Sequence, residues 1–404
     1  MNGAVAWWVR PLHTISRPAA ALGRGRGEEA FDGLLRRAAR QAGSTEPPDP
    51  QFAADLRFLY DSFVAAGELS FLGLSSIRHE VTRHLANWLR VRDLIRAHPQ
   101  IASAPVRSPV FVTGLPRTGT TLLHTLLASV PAHRAPLMWE LLDPCPPAAG
   151  CPAGDTRQRR ARRLASAAQY LAPSLRVIHP LDASGPEECV LALPQSMYVH
   201  TRARLPGYRA WFEQRDATPD YRYLREQLQV LQWRQPQRRW ILKTPFHLWS
   251  LDALLRVFGD ATIVWTHRDP QVAIASWCSL MEVTMGMSNQ RVDLRLLGED
   301  WTGMWASAVT QAMAVRERSP QSFIDVPYDR LTSSPAAALS DVLARLGPGP
   351  APAAGGQARA RDSKAHGQHA RQRPGAHRYS LARYSLTAES VSRAFSGYLR
   401  ATTS

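Results

Sequence analysis

The segment from Pro109 to Leu127 carries the residue types and spacing best suited to chemistry. An apolar run, Val110 to Thr113, leads into Gly114-Leu115-Pro116-Arg117-Thr118-Gly119-Thr120-Thr121, and Leu122, Leu123, Leu126 and Leu127 then give a helix a wide apolar face. Glycines at 114 and 119 permit backbone geometry that a side chain would obstruct. Successive amide N–H groups can therefore point at an anion seated on the N-terminus of the following helix. The pattern predicts a phosphate cradle. A nucleotide-hydrolysing loop reads G-x4-G-K-[ST], with its lysine directly after the second glycine, whereas here Thr120 takes that place and the cation, Arg117, lies inside the loop. That difference argues against a kinase or ATPase.

Further along, Lys243 closes the apolar run Trp240-Ile241-Leu242, where a lysine is costly unless its charge is used. The alternative is a lysine whose head reaches the surface. Arg268 follows a second apolar run, Thr262 to Thr266, and Ser276 stands in the helical pattern after it. Pairing of Arg268 with its neighbour Asp269 is the plain alternative there.

The loop resembles the 5′-phosphosulfate loop of sulfotransferases, P-[KR]-[ST]-G-T-T, matched by Pro116-Arg117-Thr118-Gly119-Thr120-Thr121. Members of that family also place a lysine at the end of a core strand, then an arginine at the end of the next strand and a serine early in the following helix. Lys243, Arg268 and Ser276 fit these places. Trp139-Glu140, Pro186-Glu187-Glu188-Cys189 and His377-Arg378-Tyr379-Ser380-Leu381 look like the bacterial branch, with the resemblance running from about residue 50 to the C-terminus.

The resemblance implies a sulfuryl transfer from 3′-phosphoadenosine 5′-phosphosulfate (PAPS) to a hydroxyl or amine, with no metal. Arg117, with the backbone and hydroxyls of Thr118, Gly119, Thr120 and Thr121, would bind the 5′-phosphosulfate. Lys243 would contact the bridging oxygen, where negative charge accumulates, and Arg268 and Ser276 would hold the 3′-phosphate. Tyr328 resembles the family's nucleotide-contacting tyrosine, a buried core tyrosine being the other reading. Arg373, His377 and Arg378 are candidates for a late basic segment on the 3′-phosphate. For the proton acceptor the resemblance favours Glu140 over His247, which follows Lys243 by four residues rather than the two typical of histidine-using members. Glu187 and Glu188 are further candidates. Each carboxylate could instead be a charge complementing a helix N-terminus, the expected role for Glu187 and Glu188.

These groups need elements to hold them. Apolar runs at 110–113, 240–242, 262–266 and 322–326 read as strands, and helices fall between them, one over about 248–257. Strands alternating with helices predict an α/β fold with a doubly wound parallel sheet, in which ligands sit beyond the C-terminal strand ends. Residues 1–50, with one short helix around Phe31–Arg40, read as a flexible basic leader; 51–346 as the core, with a helical N-terminal region and a helical acceptor-side insertion over about 141–238; 347–376 as a low-complexity segment; and 377–404 as a tail packing on the core. Trp211, Tyr221, Tyr223 and Trp233 in the insertion suggest an acceptor pocket, although aromatics at helical spacing usually belong to a core.

At 404 residues and 45% hydrophobic content, a sizeable core is possible, and the net charge of +16 favours anionic partners generally. The charge is uneven: residues 351–404 hold nine Arg and Lys against two acids, and residues 1–27 hold four arginines and no acid. Cys145, Cys151, Cys189 and Cys278 make neither a disulfide framework nor a zinc pattern, so reduced thiols in a cytoplasm are the plain expectation. No apolar run reaches the roughly 18 residues that span a bilayer. Peripheral membrane contact with a glycolipid, carbohydrate or hydroxylated small-molecule acceptor is compatible, and nucleic acid is not expected. The acid-free N-terminus has the look of a transit peptide, but the Ala/Arg bias pervades the chain. The rival readings are a P-loop-like nucleotide kinase and a non-catalytic anion-binding protein.

Overall fold

The computed structural model describes residues 5, 6, 8, 9, 11, 28–147, 155–348 and 380–402. At its centre is a parallel sheet of β1 (Val110–Gly114), β2 (His133–Arg134), β3 (Arg239–Lys243), β4 (Thr262–His267) and β5 (Phe323–Pro327) in the order β2-β3-β1-β4-β5. Each apolar run that predicted a strand forms one. Two-residue β2, with a histidine and an arginine, has no apolar signature and was not foreseen.

Alternate side chains of each strand serve opposite faces, because the strand repeat is two. Val110 and Val112 with Ile241, Val264, Ile324 and Val326 meet Leu123 and Leu127 of one helix and Ala338 and Val342 of another. Phe111, Trp240, Leu242, Ile263 and Trp265 point the other way, into the large helical core. Both faces are covered, as the unbroken apolar strands require. After β1 the chain crosses to the β2 edge, returns to β3 on one side of β1, and then places β4 on the other. The end of β1 is thus a topological switch point, where a crevice opens between neighbouring strand ends.

Helices α1 (Glu28–Ala42), α2 (Pro50–Ala66) and α3 (Phe71–Ala97) precede the sheet. Asp49 caps α2 by accepting from the Phe52 N–H, and Ser70 caps α3 by accepting from Gly73. The expected loose leader needs correcting for α1: Phe31, Leu34 and Ala38 are buried in the main core, so this helix is part of the packed body. The chain continues through α4 (Gln100–Ser103), α5 (Thr120–Ala128), α6 (Met138–Leu142), α7 (Arg157–Leu171), α8 (Leu175–Ile178), α9 (Pro206–Gln214), α10 (Thr218–Gln232) and α11 (Leu251–Val257). Two long helices, α12 (Pro270–Ser288) and α13 (Leu294–Arg318), follow β4, and α14 (Tyr328–Ser333) and α15 (Pro335–Leu346) follow β5. The described end of the tail folds back, burying Tyr384, Val391, Phe395 and Tyr398 in the main core. Most of the segment 347–376, the N-terminal residues before 28 other than the five described, and Cys151 lie outside the described residues; the other three cysteines are buried free thiols.

Candidate active site

The turn from β1 into α5 adopts the geometry its glycines permit. Gly114 has φ 146°, and a Cβ there would stand 2.4 Å from the Thr266 carbonyl oxygen; Gly119 has φ 87°. Between them Arg117 takes a left-handed φ of 68°, uncommon for a residue with a side chain. Gly119 provides the N-cap of α5 without any side-chain cap, so the first-turn N–H groups are left for an anion. The Thr118 hydroxyl corrects its expected role: it turns inward, 2.6 Å from both the Leu115 carbonyl and the Thr266 hydroxyl, and holds the loop closed. Its backbone stays in the cradle.

Strand ends bring the cations together. Lys243, 2% exposed, donates from Nζ to Glu188 Oε1 at 2.7 Å and to the Thr121 hydroxyl at 3.4 Å. The Glu188 Oε2 accepts from the Thr244 hydroxyl at 2.9 Å. Burial pushes the Glu188 carboxyl up, but the Lys243 ammonium, His179 and the hydrogen bonds from Lys243 and Thr244 outweigh it, leaving the group below its ordinary value. Glu188 is therefore an ionised partner set at the mouth of the loop.

Arg117 donates from Nε to the Ser276 hydroxyl and from Nη1 to the Ile178 carbonyl, each at 3.1 Å. Arg268 does not pair with Asp269, which accepts from the Gln271 N–H and caps α12. Instead its guanidinium donates to the Arg117 carbonyl at 2.9 Å and lies 3.9 Å from the centre of the Tyr328 ring. Tyr328 in turn packs against Gly119, whose Cβ would come within 3.3 Å of the ring. Arg117, Thr120, Thr121, Lys243, Arg268, Ser276 and Tyr328 thus converge on one crevice beyond the strand ends.

The two favoured proton acceptors do not join this crevice. Glu140 supplies the acidic half of a helix cap, the Leu137 side chain having no acceptor to return it: its Oε2 accepts from the Leu137 N–H at 3.0 Å, and Oε1 accepts from Arg134 Nη2 at 2.8 Å. Both oxygens are spent on holding α6. His247 is sealed in the core, with Nδ1 2.8 Å from the Tyr221 hydroxyl and Nε2 3.1 Å from Cys189 Sγ; burial lowers it to about 3. Neither nitrogen faces a substrate. Glu187 accepts from the Glu188 N–H at 2.8 Å and stays buried, whereas Glu188, expected to serve a helix terminus, partners Lys243. Arg373, His377 and Arg378 lie outside the described residues.

The aromatic acceptor pocket is corrected too. Tyr221 and Tyr223 are buried, Trp211 packs on Tyr208 and under Arg215, and Trp233 stacks with His98 and Arg234. These residues are scaffold. Sequence reasoning also missed Thr244 and the Ile178 carbonyl, the second of which has no side-chain signature at all.

A family model described as the sulfotransferase family matches residues 109–348. Among curated proteins, the omega-hydroxy-beta-dihydromenaquinone-9 sulfotransferases Stf3 of Mycobacterium bovis and Mycobacterium tuberculosis are each 25% identical over 256 residues, covering 60% of this chain and 63% of theirs. The chain thus matches a little under two thirds of the length of these relatives. Among solved structures, the sulfotransferase STF1 of Mycobacterium tuberculosis is similar at TM-score 0.75 and 29% identity over 91% of this chain and 98% of that one. The sulfotransferase STF9 of Mycobacterium avium gives TM-score 0.77 and 25% identity over 92% and 96%.

Proposed function

The chain belongs to the sulfotransferase family, and from that premise we propose that it moves a sulfuryl group from PAPS to the hydroxyl of a lipid-like acceptor. One observation carries the reading: Lys243, buried at the end of β3, stands beside a glycine-bounded loop whose helix is uncapped and whose arginine lies inside the turn. The residues fit the donor. The first turn of α5, the Thr120 and Thr121 hydroxyls and Arg117 suit the 5′-phosphosulfate, and Arg268, Ser276 and Tyr328 suit the 3′-phosphate and its nucleoside. The lipid-like acceptor is supported by the curated relatives, whose names specify a hydroxylated menaquinone.

In the reaction the acceptor oxygen bonds to sulfur as the sulfur–oxygen bond to phosphate breaks. The electron pair of the broken bond stays on the phosphate oxygen, beside the Lys243 ammonium, and the hydroxyl proton passes to the Glu188 carboxylate. The Lys243–Glu188 pair makes these roles complementary. Drawing Lys243 towards the donor frees Glu188 Oε1 to accept, while the Thr244 hydroxyl keeps Oε2 in place. Glu188 replaces Glu140 and His247 as the proton acceptor on this geometry.

Calorimetric titration with the desulfated product 3′,5′-diphosphoadenosine tests the reading. Two separate phosphate sites predict much tighter binding than AMP or ATP, unchanged in EDTA. Equal affinity for AMP, or loss of binding in chelator, refutes it.

A further inference from the structure

Among the described residues, helices α7 and α8 combine exposed apolar side chains with exposed arginines. Ala161, Ala165, Ala172, Leu175 and Ile178 face the protein, so helical periodicity turns Arg159, Arg163 and Tyr170 outward on one stripe. Leu164, Tyr170 and Val177 are 42%, 64% and 62% exposed, half of the six large apolar side chains that stand exposed among the described residues. Arg159, Arg162, Arg163 and Arg176 are exposed beside them, and among the described residues none of these four makes an ion pair, whereas Arg157 pairs with Asp155 and Arg160 with Asp143. Trp8 adds an aromatic ring 5.2 Å from that of Tyr170.

Guanidiniums that make no ion pair among the described residues, interleaved with exposed Tyr, Leu and Val, suit a bilayer interface, where cations meet lipid phosphates and apolar tips enter the acyl boundary. Nucleic acid would use the arginines but gains nothing from exposed Leu164 and Val177. The patch also borders the transfer centre, since α8 ends at Ile178, whose carbonyl accepts from Arg117. We propose that the outward face of α7 and α8 docks on an anionic phospholipid bilayer and brings the transfer centre to a membrane-resident hydroxylated acceptor. This rests on the sulfuryl-transfer reading above.

The test is co-sedimentation of the full chain with vesicles of phosphatidylcholine alone or mixed with phosphatidylglycerol. Because a chain of net charge +16 clings to any anionic surface, Arg159→Glu/Arg163→Glu is compared with Arg222→Glu/Arg318→Glu, which makes the same charge change at exposed sites on α10 and α13. The α7 pair should weaken binding to the anionic vesicles by at least about 30-fold, and clearly more than its control. Tyr170→Ser/Val177→Ser, which leaves charge untouched, should also weaken it, by about tenfold. Equal losses in the two charge variants, or no effect of the apolar variant, overturns the proposal. So does loss of binding to a single-stranded RNA oligonucleotide, with vesicle binding retained, in the α7 charge variant. The nucleotide titration separates the two readings: vesicle docking by a chain that does not bind 3′,5′-diphosphoadenosine overturns sulfuryl transfer, and nucleotide binding without docking overturns the membrane face.

Discussion

Replacing Glu188 by glutamine should push affinity and turnover in opposite directions. The side chain keeps its shape and its contact with Thr244, but Lys243, 2% exposed, loses its anionic partner. Leaving a buried charge unpaired costs about 3–5 kcal/mol; Glu188 is itself 18% exposed and the Thr121 hydroxyl remains, so the lower end applies. An anion delivered to Lys243 restores the pairing. Product nucleotide should therefore bind the variant about 10- to 100-fold more tightly, the worth of the charged hydrogen bond the wild type must exchange. Turnover should fall by about 10²–10⁴, the usual share of general acid–base catalysis. Glu140→Gln is the control. Glutamine offers one acceptor oxygen where Glu140 uses two, so it gives up either the Leu137 N–H or the Arg134 contact, and stability should drop by about 1–3 kcal/mol with turnover per folded molecule unchanged. Calorimetry with 3′,5′-diphosphoadenosine, urea unfolding and a steady-state assay on an unactivated alcohol measure all of these. Full turnover in Glu188→Gln with a large loss in Glu140→Gln would refute the reasoning and return the proton to Glu140.

Gly119→Ala should cost at least about tenfold in nucleotide affinity while circular dichroism stays native, because the methyl meets Leu331 at 2.9 Å and presses on the Tyr328 ring under Arg268; unchanged calorimetric affinity would contradict it. Arg268→Ala should weaken nucleotide binding by about 2–5 kcal/mol and Ser276→Ala by about 1 kcal/mol; calorimetric affinity unchanged in both would put the 3′-phosphate elsewhere. Burial lowers His124 and His247 to about 3 and His200 to about 4. The unfolded chain thus binds more protons between those values and about 6.5, so stability rises with pH across that window and is lost as pH falls, by up to about 1.4 kcal/mol per unit for each histidine. Asp220, raised to about 6 by burial, and Glu226, also raised by burial, oppose them, while burial lowers His84, His79 and His133 in the same sense as the three. Urea midpoints at several pH values between about 5 and 7.5 should fall on acidification; a flat profile would show these histidines protonated in the fold.

The loop was legible because its chemistry is backbone chemistry: Gly114 and Gly119 report left-handed or crowded positions directly, and an uncapped helix start follows from them. Lys243 was legible because a lysine ending an apolar strand needs a reason. Glu188 stood among the proton-acceptor candidates, but its partnership with Lys243 was not legible, since the two lie 55 residues apart and no local spacing announces the pairing. Glu140 misled because a helix-start glutamate can accept from its own N-cap N–H or serve an active site with the same letters. In α1, the basic, glycine-rich sequence around it obscured the apolar spacing of Phe31, Leu34 and Ala38. The carbonyl of Ile178 had no signal, since every residue carries one.

Arg117 is tied at three points: its carbonyl to Arg268, its Nε to Ser276 and its Nη1 to the end of α8. On the sulfuryl-transfer and membrane readings proposed above, donor and acceptor would share this one fixture. A donor anion that recruits the Arg117 guanidinium competes with the Ile178 carbonyl, and whatever α8 then does is felt where the acceptor arrives. By reciprocity an acceptor that changes the hold of α8 on Arg117 alters donor affinity by the same factor. Those readings thus predict that the two ligands are coupled through a single side chain, with loading order set at the loop itself.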